Sequence, residues 1–319
     1  MYTIGSDVAF AKTCLEKGQT VAIPTETVYG LAANALLESA VTEIFRIKNR
    51  PAFDPLIVHV ASLTAALPYV KVLPERVVRI YEQLGPGPIT YILPKSELIP
   101  DLVTSGHASV GIRIPDHPLT LDLLTQLNFP LAAPSANPFG FTSPTTARHV
   151  ADQLGNEVAY ILDGGPCRVG LESTILDAST DQLKVLRLGG LSLEQLETAA
   201  GQTITEVQLS SSNPQAPGML IKHYNPGKKL ILGNFPELLH HYPLEKAGLL
   251  TFNSYQPAVP VERQYVLAPD GQITTAASRL FAGLRQLGQL DVDFILAEEV
   301  PESGLGLAIN DRLRRAAAK

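Results

Sequence analysis

The sequence predicts an α/β protein that contains an open mixed sheet, followed by a smaller α/β unit with a parallel sheet. Helical and strand-like hydrophobic patterns alternate over residues 1–200, as expected for layers of helices packed on a sheet. Strand patterns outnumber helical ones in this region, which favours a mixed sheet over a purely doubly wound one. A second alternation begins near residue 229, after a stretch rich in Ser, Asn, Pro and Gly.

In residues 1–200, one helix and a series of strands carry clear patterns. Residues 39–48 predict a helix, because Val41, Ile44, Phe45 and Lys48 fall on one face. Short apolar runs bounded by Gly, Pro and Asp predict buried strands. These runs occupy residues 56–60, 89–94, 109–115, 131–135, 159–165, 173–177 and 184–190.

Residues 201–228 have little helical periodicity and predict an interdomain linker. The second half of this linker, MLIKHYNP, carries Lys, His and Tyr together, which a plain spacer does not need. Residues 229–319 return to strand and helix patterns, with helices predicted at 274–290 and 309–315, so we expect a small α/β domain with a parallel sheet. The basic ending NDRLRRAAAK is interpreted as a solvated helix end, where Lys and Arg suit the helix dipole.

Composition excludes several classes of protein. The 319 residues are 45% hydrophobic and contain no apolar run long enough to span a membrane. The net charge of −6 argues against a protein that coats nucleic acid by bulk charge. Two cysteines, Cys14 and Cys167, cannot form a disulfide framework, no Cys/His cluster predicts a metal site, and no signal-peptide pattern opens the chain. We therefore expect a cytoplasmic protein without protein ligands for a metal.

Several basic positions are candidates for binding an anion. Lys48 and Arg50 flank the end of the predicted helix, and Arg113 lies between two isoleucines, on the opposite face of its strand. Such cations either clamp a phosphate or carboxylate or form ordinary ion pairs with neighbouring acids. His59, inside an apolar strand, is either a core histidine or a ligand contact. The residues alone leave these alternatives open.

Hydroxyl-rich loops accompany these cations. The segment 131–150 is broken by Pro and Gly before a helix that Ser143 or Thr145 could cap, and a helix start with hydroxyls beside it suits a phosphate. Residues 163–177 combine glycines with Ser173, and Arg187 lies in the next strand pattern, where an ion pair is the alternative. The GxSxG motif of a serine hydrolase is absent. Together the segments favour an enzyme that positions a nucleotide.

The chain resembles the YrdC-like family along nearly its whole length. The matching blocks are, in order, PTETVYGL, KNRPAFDPLIVHV, GIRIP, APSAN with TSPTTA, GGP…ESTILD and VLRLGG. The HYNP segment and the ending GLGLAINDRL are similar to the longer, two-domain members, the threonylcarbamoyl-AMP synthases. This resemblance implies an open, twisted α/β sheet with a large concave cavity in residues 1–200, closed by residues 201–228 acting as a lid.

The resemblance also implies a reaction. L-Threonine, bicarbonate and ATP would give L-threonylcarbamoyl-AMP and pyrophosphate, with Mg²⁺ carried by the ATP. A downstream transferase system would then pass the threonylcarbamoyl group to adenosine 37 of tRNA. As a hypothesis, N-carboxythreonine would attack the α-phosphorus, and the enzyme would contribute positioning and charge stabilisation.

The same resemblance assigns roles to individual residues. Lys48 and Arg50 would be the catalytic cations over the phosphates. Asp54 follows them where other members carry a different residue, so we assign it no phosphate contact. The L-threonine contacts would be Thr27, His59, Arg113 and Ser173. The ATP contacts would be Arg50, Ser109, Ser135, Asn137, Ser143, Arg187, Tyr224 and Asn225.

Two alternatives differ from this synthase reading. An RNA-binding module of the same family is one, and its mark would be a salt-sensitive tRNA affinity that ignores threonine. A weak tRNA contact is expected in either case. The other alternative is a hydrogenase-maturation carbamoyltransferase, whose additional zinc-finger-like and acylphosphatase-like segments have no counterpart here.

Overall fold

The structure is a computed structural model that describes residues 3–204 and 223–318. Fourteen strands are present in those two ranges, and they form a ten-stranded sheet, here called the large sheet, and a four-stranded sheet, the small sheet. The strands are β1 (Ile4–Gly5), β2 (Val21–Ile23), β3 (Gly30–Asn34), β4 (Ile57–His59), β5 (Ile89–Pro94), β6 (Ser109–Arg113), β7 (Leu131–Ala132), β8 (Tyr160–Leu162), β9 (Thr174–Asp177), β10 (Lys184–Arg187), β11 (Lys229–Leu232), β12 (Ala247–Thr251), β13 (Gln264–Val266) and β14 (Phe294–Ala297).

Helices cover both sheets and bury their apolar faces against them. The helix that ends at Lys48 begins at Glu38 and buries Val41 and Ile44, as its periodicity predicts. The helices are α1 (Val8–Glu16), α2 (Glu38–Lys48), α3 (Leu63–Ala66), α4 (Glu75–Leu84), α5 (Asp101–Thr104), α6 (Pro118–Gln126), α7 (Ala147–Leu154), α8 (Leu193–Ala200), α9 (Phe235–His241), α10 (Ile273–Gln289) and α11 (Gly306–Ala317).

The large sheet is mixed, with the strand order β1-β8-β2-β3-β7-β4-β6-β5-β9-β10. Strand β6 pairs in parallel with β4 and antiparallel with β5, and β5 pairs in parallel with β9. Parallel pairing of β4 and β6 places His59 directly opposite Arg113 at the carboxyl ends of both strands. The topology therefore brings together residues that are 54 positions apart in the sequence.

The small sheet is entirely parallel, with the order β11-β14-β12-β13. Helix α10 packs Leu280, Phe281, Leu284 and Leu287 into its core. The predictions of a mixed α/β sheet and of a small α/β unit with a parallel sheet are therefore confirmed.

Two local predictions are wrong. Helix α7 is capped by Thr146, whose Oγ1 accepts from the His149 amide at 3.2 Å, and not by Ser143 or Thr145. The basic end of the chain is not simply solvated, since Arg312 and Arg315 on α11 are 0% and 8% exposed. The burial of Arg312 cannot be recognised from periodicity, because the acid that pairs with it outside its own helix lies 140 residues away.

Candidate active site

A cavity opens beside the carboxyl ends of β4 and β6. Its wall combines guanidinium groups, hydroxyls, one imidazole from each of two segments and a carboxylate. The lining residues are Thr25, Val28, Gly30, Arg50, Ile57, His59, Arg113, Ala133, Pro134, Ser135, Glu172, Ser173, Arg187, His223 and Tyr224.

Arg113 ends β6 and is held by the loop that follows β2. Its Nη2 donates to Glu26 Oε1 and to Thr27 Oγ1, both at 2.7 Å. Its Nε has no hydrogen-bond partner among the described residues, although the side chain is only 5% exposed. An unpaired buried donor costs about 1–3 kcal/mol. The guanidinium is thus anchored on one side and keeps one unpaired donor, and its contact with a substrate carboxylate stays a prediction.

Thr27 is fully buried and does not itself line the cavity. Its hydroxyl lies 2.8 Å from that of Thr25, which does line the cavity. The PTETVYGL segment therefore places the carboxylate of Glu26 and the hydroxyls of Thr25 and Thr27 around Arg113. Thr27 contacts the guanidinium on the side away from the cavity and orients it.

His59 lies beside Arg113 on the cavity wall. Its Nδ1 is 3.3 Å from the carbonyl oxygen of Ile57. Burial, reinforced by the charge of Arg113, lowers the pKa of His59 to about 3. The imidazole is therefore neutral near pH 7 and can offer a donor or an acceptor to a polar ligand.

Arg50 lines the cavity from the segment after α2 and is 8% exposed. Its Nη2 lies 2.9 Å from Asp54 Oδ2 and donates to the carbonyl oxygen of Pro55 at 2.8 Å. Burial lowers the pKa of Arg50 and raises that of Asp54, the latter against the opposing effect of the Arg50 charge. Asp54 therefore serves as the counter-ion of Arg50.

Lys48 is not on the cavity wall. It is 1% exposed, and its Nζ donates to the carbonyl oxygens of Ser135 at 2.6 Å and Asn137 at 2.5 Å. Burial holds the pKa of Lys48 well below its ordinary value. In this conformation the ammonium fixes the APSAN loop behind the cavity, where Ser135 reaches the wall and Asn137 does not.

Asn137 and Ser143 belong to the same hydroxyl-rich loop, and both are buried. The Asn137 Nδ2 donates to the carbonyl oxygens of Pro138 at 2.8 Å and Phe141 at 2.9 Å. The Ser143 hydroxyl donates to Glu172 Oε1 at 2.7 Å. Both side chains organise the loop and neither lines the cavity, so their nucleotide contacts stay predictions.

Glu172 and Ser173 form the opposite wall. Ser173 Oγ lies 2.8 Å from Thr90 Oγ1, and Arg187 Nη2 donates to Ser173 Oγ at 3.1 Å and to its carbonyl oxygen at 2.8 Å. Burial lowers the pKa of Arg187 to about 10, which still leaves it charged near pH 7. Arg187 and Ser173 therefore present a cation and a hydroxyl side by side.

The described part of the predicted linker reaches the cavity. Tyr224 is 1% exposed, has a φ of 67°, and stacks on Phe281 with 5.4 Å between ring centroids. His223 also lines the cavity, whereas Asn225 lines an adjacent groove and its amide donates to the Gly140 carbonyl oxygen at 2.9 Å. Residues 205–222 of the proposed lid lie outside the described residues.

Ser109 is not brought together with the other predicted site residues. It begins β6, and Arg113 ends the same strand, so about four residues of extended chain, roughly 13 Å, separate them. Ser109 pairs with Pro94, away from the cavity lining.

Sequence reasoning missed several residues of the site. Glu26 and Glu172 each stand next to a predicted contact, so their positions could have suggested a role. His223 precedes Tyr224 in the HYNP segment that already looked unusual for a linker. Arg312 of α11 gave no such signal, although its Nε and Nη2 both lie 3.2 Å from Glu172 Oε2.

Residues 3–204 and 223–318 contain no group of three or more His, Cys, Asp or Glu side chains that could hold a metal ion. No helix in these ranges is both long and apolar enough to cross a bilayer. The site instead offers buried guanidiniums, hydroxyls and a neutral imidazole, which suit a small anionic ligand with polar substituents. A mixed α/β sheet with such a cavity defines an enzyme that binds small anions by fixed donors.

Comparison with known proteins defines the family. Residues 13–189 match the family model Sua5_yciO_yrdC, described as Telomere recombination, and residues 191–318 match the Threonylcarbamoyl-AMP synthase, C-terminal domain. This chain therefore belongs to the Sua5/YciO/YrdC family, in its two-domain form.

Similar proteins from distant organisms share this arrangement. The threonylcarbamoyl-AMP synthase of Bacillus subtilis is 40% identical over 97% of this chain and 92% of its own length. That of Pyrococcus abyssi is 39% identical over 97% of this chain and 93% of its own length. The crystal structure of P. abyssi Sua5 complexed with L-threonine superposes with a TM-score of 0.90 at 37% identity, covering 99% of this chain and 96% of the other.

Proposed function

We propose that this chain is a threonylcarbamoyl-AMP synthase, which makes L-threonylcarbamoyl-AMP and pyrophosphate from L-threonine, bicarbonate and ATP. The observation that carries the proposal is the Arg113 guanidinium, buried, anchored by Glu26 and Thr27, and left with an unpartnered Nε. A free amino acid has a carboxylate that satisfies such a donor. The P. abyssi relative, crystallised with L-threonine, supports the same ligand class.

The chemistry needs no protein nucleophile. The threonine amine combines with CO₂ from bicarbonate and loses a proton, which gives N-carboxythreonine. A carboxylate oxygen of this carbamate attacks the α-phosphorus of ATP as the bond to the β-phosphate bridging oxygen breaks, and pyrophosphate leaves. The protein contributes orientation of the reactants and stabilisation of the negative charge on the phosphates.

Charged side chains divide between the two halves of this reaction. Arg113, with neutral His59 and the hydroxyl of Ser173, would hold threonine. Arg50 and Arg187, which line the cavity as cations, would face the phosphates. Lys48 would act on catalysis indirectly, because its Nζ donates to the Ser135 carbonyl oxygen and so holds the loop that lines the cavity.

Mg²⁺ would arrive with ATP. The described residues offer no acidic cluster for a resident metal, so they do not fit a protein-held ion. We therefore propose that the phosphate oxygens of ATP carry the Mg²⁺, and no step here is assigned to it.

The product is a mixed anhydride, and a downstream threonylcarbamoyl transferase system would consume it in the first stage of modifying adenosine 37 of tRNA. Contact between this chain and tRNA would be weak, given the net charge of −6. A cytoplasmic location is proposed from two buried, unpaired cysteines, which suit a reducing compartment.

The first experiment is a measurement of pyrophosphate release from ATP, with L-threonine and bicarbonate each present or omitted. Release that requires both is expected, and serine in place of threonine then tests the pocket. Release that ignores threonine would contradict the proposal and favour a nucleotide- or RNA-binding relative.

Replacing Arg113 with lysine tests the carboxylate assignment. Lysine keeps the charge beside Glu26 but loses the fork of donors, so kcat/KM for threonine should fall by about 100-fold while the protein stays folded. The matched control is Arg168→Lys, an arginine 71% exposed that pairs with Asp116 outside the cavity. Equal kinetics in both variants would remove Arg113 from the threonine site.

A further inference from the structure

The small-sheet domain inserts one fully buried charge into the cavity wall of the large-sheet domain. Arg312 on α11 is 0% exposed. Its Nε and Nη2 both lie 3.2 Å from Glu172 Oε2, and its Nη2 donates to the Leu188 carbonyl oxygen at 2.7 Å. Its own neighbour Asp311 accepts from Nη1 at 2.8 Å. Both terminal nitrogens of this guanidinium therefore already have hydrogen-bond partners within the protein.

Glu172 is the carboxylate among the described residues that line the cavity. Its two oxygens have separate partners, since Oε1 accepts from Ser143 and Oε2 faces Arg312. Burial acts to raise the pKa of Glu172, but the charges of Arg312 and Arg187 and the Ser143 hydrogen bond hold it below its ordinary value. Glu172 is thus an anion in a wall that must accept a triphosphate.

The same guanidinium also contacts the segment that closes the cavity. The Cζ atom of Arg312 lies 5.5 Å from the ring centroid of Tyr224. The Tyr224 ring also stacks on the ring of Phe281 of α10. A cation near an aromatic face at this distance is attracted to it. One side chain therefore fixes both Glu172 and Tyr224, on two different walls.

We propose that Arg312 is a positioning residue for the nucleotide half of the reaction, a step that rests on the proposed synthase function. Arg312 offsets the charge of Glu172, so the cations Arg50 and Arg187 are not cancelled when ATP enters. It also commits the single proton of Ser143 to Glu172, because the ionised carboxylate it stabilises accepts that proton. The Ser143 hydroxyl, which is buried behind the wall, is then held by Glu172 and cannot donate to a phosphate.

This arrangement gives the small-sheet domain a definite role. The threonine contacts Arg113 and His59 lie on β6 and β4 and make no hydrogen bond or ion pair with Arg312 in the described residues. The third, Ser173, follows Glu172 in the chain, but Thr90 and Arg187 hold its hydroxyl. Loss of Arg312 should therefore weaken the use of ATP and leave the use of threonine nearly unchanged.

The test uses the full-length chain with Arg312→Leu, Arg312→Lys and the control Arg314→Leu. Arg314 lies on the same helix, is 50% exposed, and pairs with Glu299 and Glu302 away from the cavity. Pyrophosphate release gives kcat/KM for ATP and KM for threonine, and equilibrium binding of ATP without threonine gives a readout that does not depend on the reaction.

Arg312→Leu should lower kcat/KM for ATP and ATP affinity by about 10- to 100-fold, the loss expected for charge-assisted contacts in a buried site. KM for threonine should stay within about twofold. Arg312→Lys should recover part of the loss, because it restores the charge without the fork. Arg314→Leu should behave as the wild type.

Should Arg312→Leu fail to fold, the double variant Arg312→Leu with Glu172→Gln removes the uncompensated buried carboxylate. This variant should fold and keep only the smaller part of the ATP defect, because the carboxylate charge that opposes Arg50 and Arg187 is gone while Tyr224 still lacks its cation. Wild-type ATP kinetics in either folded variant, or equal losses for ATP and threonine, would overturn the proposal. Threonine-independent release by the wild type would instead contradict the synthase function, whereas ATP binding would still report on Arg312.

Discussion

The two sheets of this protein bury different kinds of side chain. Around the large sheet, buried Arg50, Arg113, Glu172 and Arg187 line one cavity, and buried Lys48 and Asp54 lie behind its wall. In the described part of the small-sheet domain, residues 223–318, the buried charged side chains are Arg312 and Arg315, both on α11. The rest of that core is apolar apart from the uncharged Thr251, Gln264 and Asn310. Because buried charge is costly unless it is paired, the large sheet is organised around a ligand and the small sheet around packing.

Breaking an ion pair beside the cavity should have the largest effect on stability. Asp54→Ala leaves the buried Arg50 without its counter-ion and should lower the free energy of unfolding by about 3–5 kcal/mol. Glu43→Ala removes an exposed pair with Arg46 and should cost about 0.2–1 kcal/mol. Denaturant titration measures both. Similar losses would mean that the cavity does not depend on its buried charges.

A truncation in the small-sheet core should affect stability without affecting substrate binding. Leu284→Ala removes a fully buried side chain from α10 and should cost about 2–5 kcal/mol. KM for ATP and for threonine should stay within about twofold, because the change leaves the guanidinium of Arg312 in place. Denaturant titration measures the stability and steady-state kinetics measure the KM values. A raised KM would contradict the statement that the small-sheet core serves packing and not substrate binding.

The junction between the regions can be tested at Gly170. This glycine has a φ of +76°, and a Cβ there would lie 2.7 Å from the carbonyl oxygens of Ala277 and Ser278 on α10. Gly170→Ala should therefore cost about 2–4 kcal/mol, from left-handed strain and from the clash. Gly271→Ala, at a φ of +71° with open space around it, should cost about 1–2 kcal/mol from strain alone. Equal melting temperatures would show that α10 yields at this contact.

At neutral pH the smallest effect comes from His59, which changes the stability only as the pH falls below about 6.5. Unfolded histidine binds a proton below about pH 6.5, whereas burial first, and the Arg113 charge second, lower the pKa of folded His59 to about 3. The stability that its neutral form contributes is complete above pH 6.5 and is lost as pH falls toward 3, by about 1.4 kcal/mol per unit. His59→Gln should flatten the curve of unfolding free energy between pH 6.5 and 5. Parallel curves for variant and wild type would mean that His59 is protonated in the fold.

Much of the fold could be predicted from sequence because its strands are apolar runs between turn residues. Strands β5 and β9 match their predicted runs closely, and α10 begins at Ile273, one residue before its predicted start. The two-residue strand β1 is too short to give a period, and its place beside β8 depends on a contact between distant segments.

The candidate site was harder to predict, because a motif names residues without giving their contacts. Resemblance assigned Lys48 and Arg50 the same role, yet one braces a loop and the other lines the cavity. From the sequence, Arg312 is interpreted as one of several solvated basic residues at a helix end. Its burial follows from how the two domains pack together, which local periodicity does not encode.

The ion pair between Glu172 and Arg312 has a consequence for biosynthesis. A ribosome delivers Glu172 first and adds 139 further residues before Arg312 is joined to the chain. Until α11 leaves the exit tunnel, a nascent first domain holds an acid in its cavity wall with no guanidinium from α11 beside it. On the proposal made for Arg312, a nascent chain that still lacks α11 would bind the nucleotide more weakly than the folded protein.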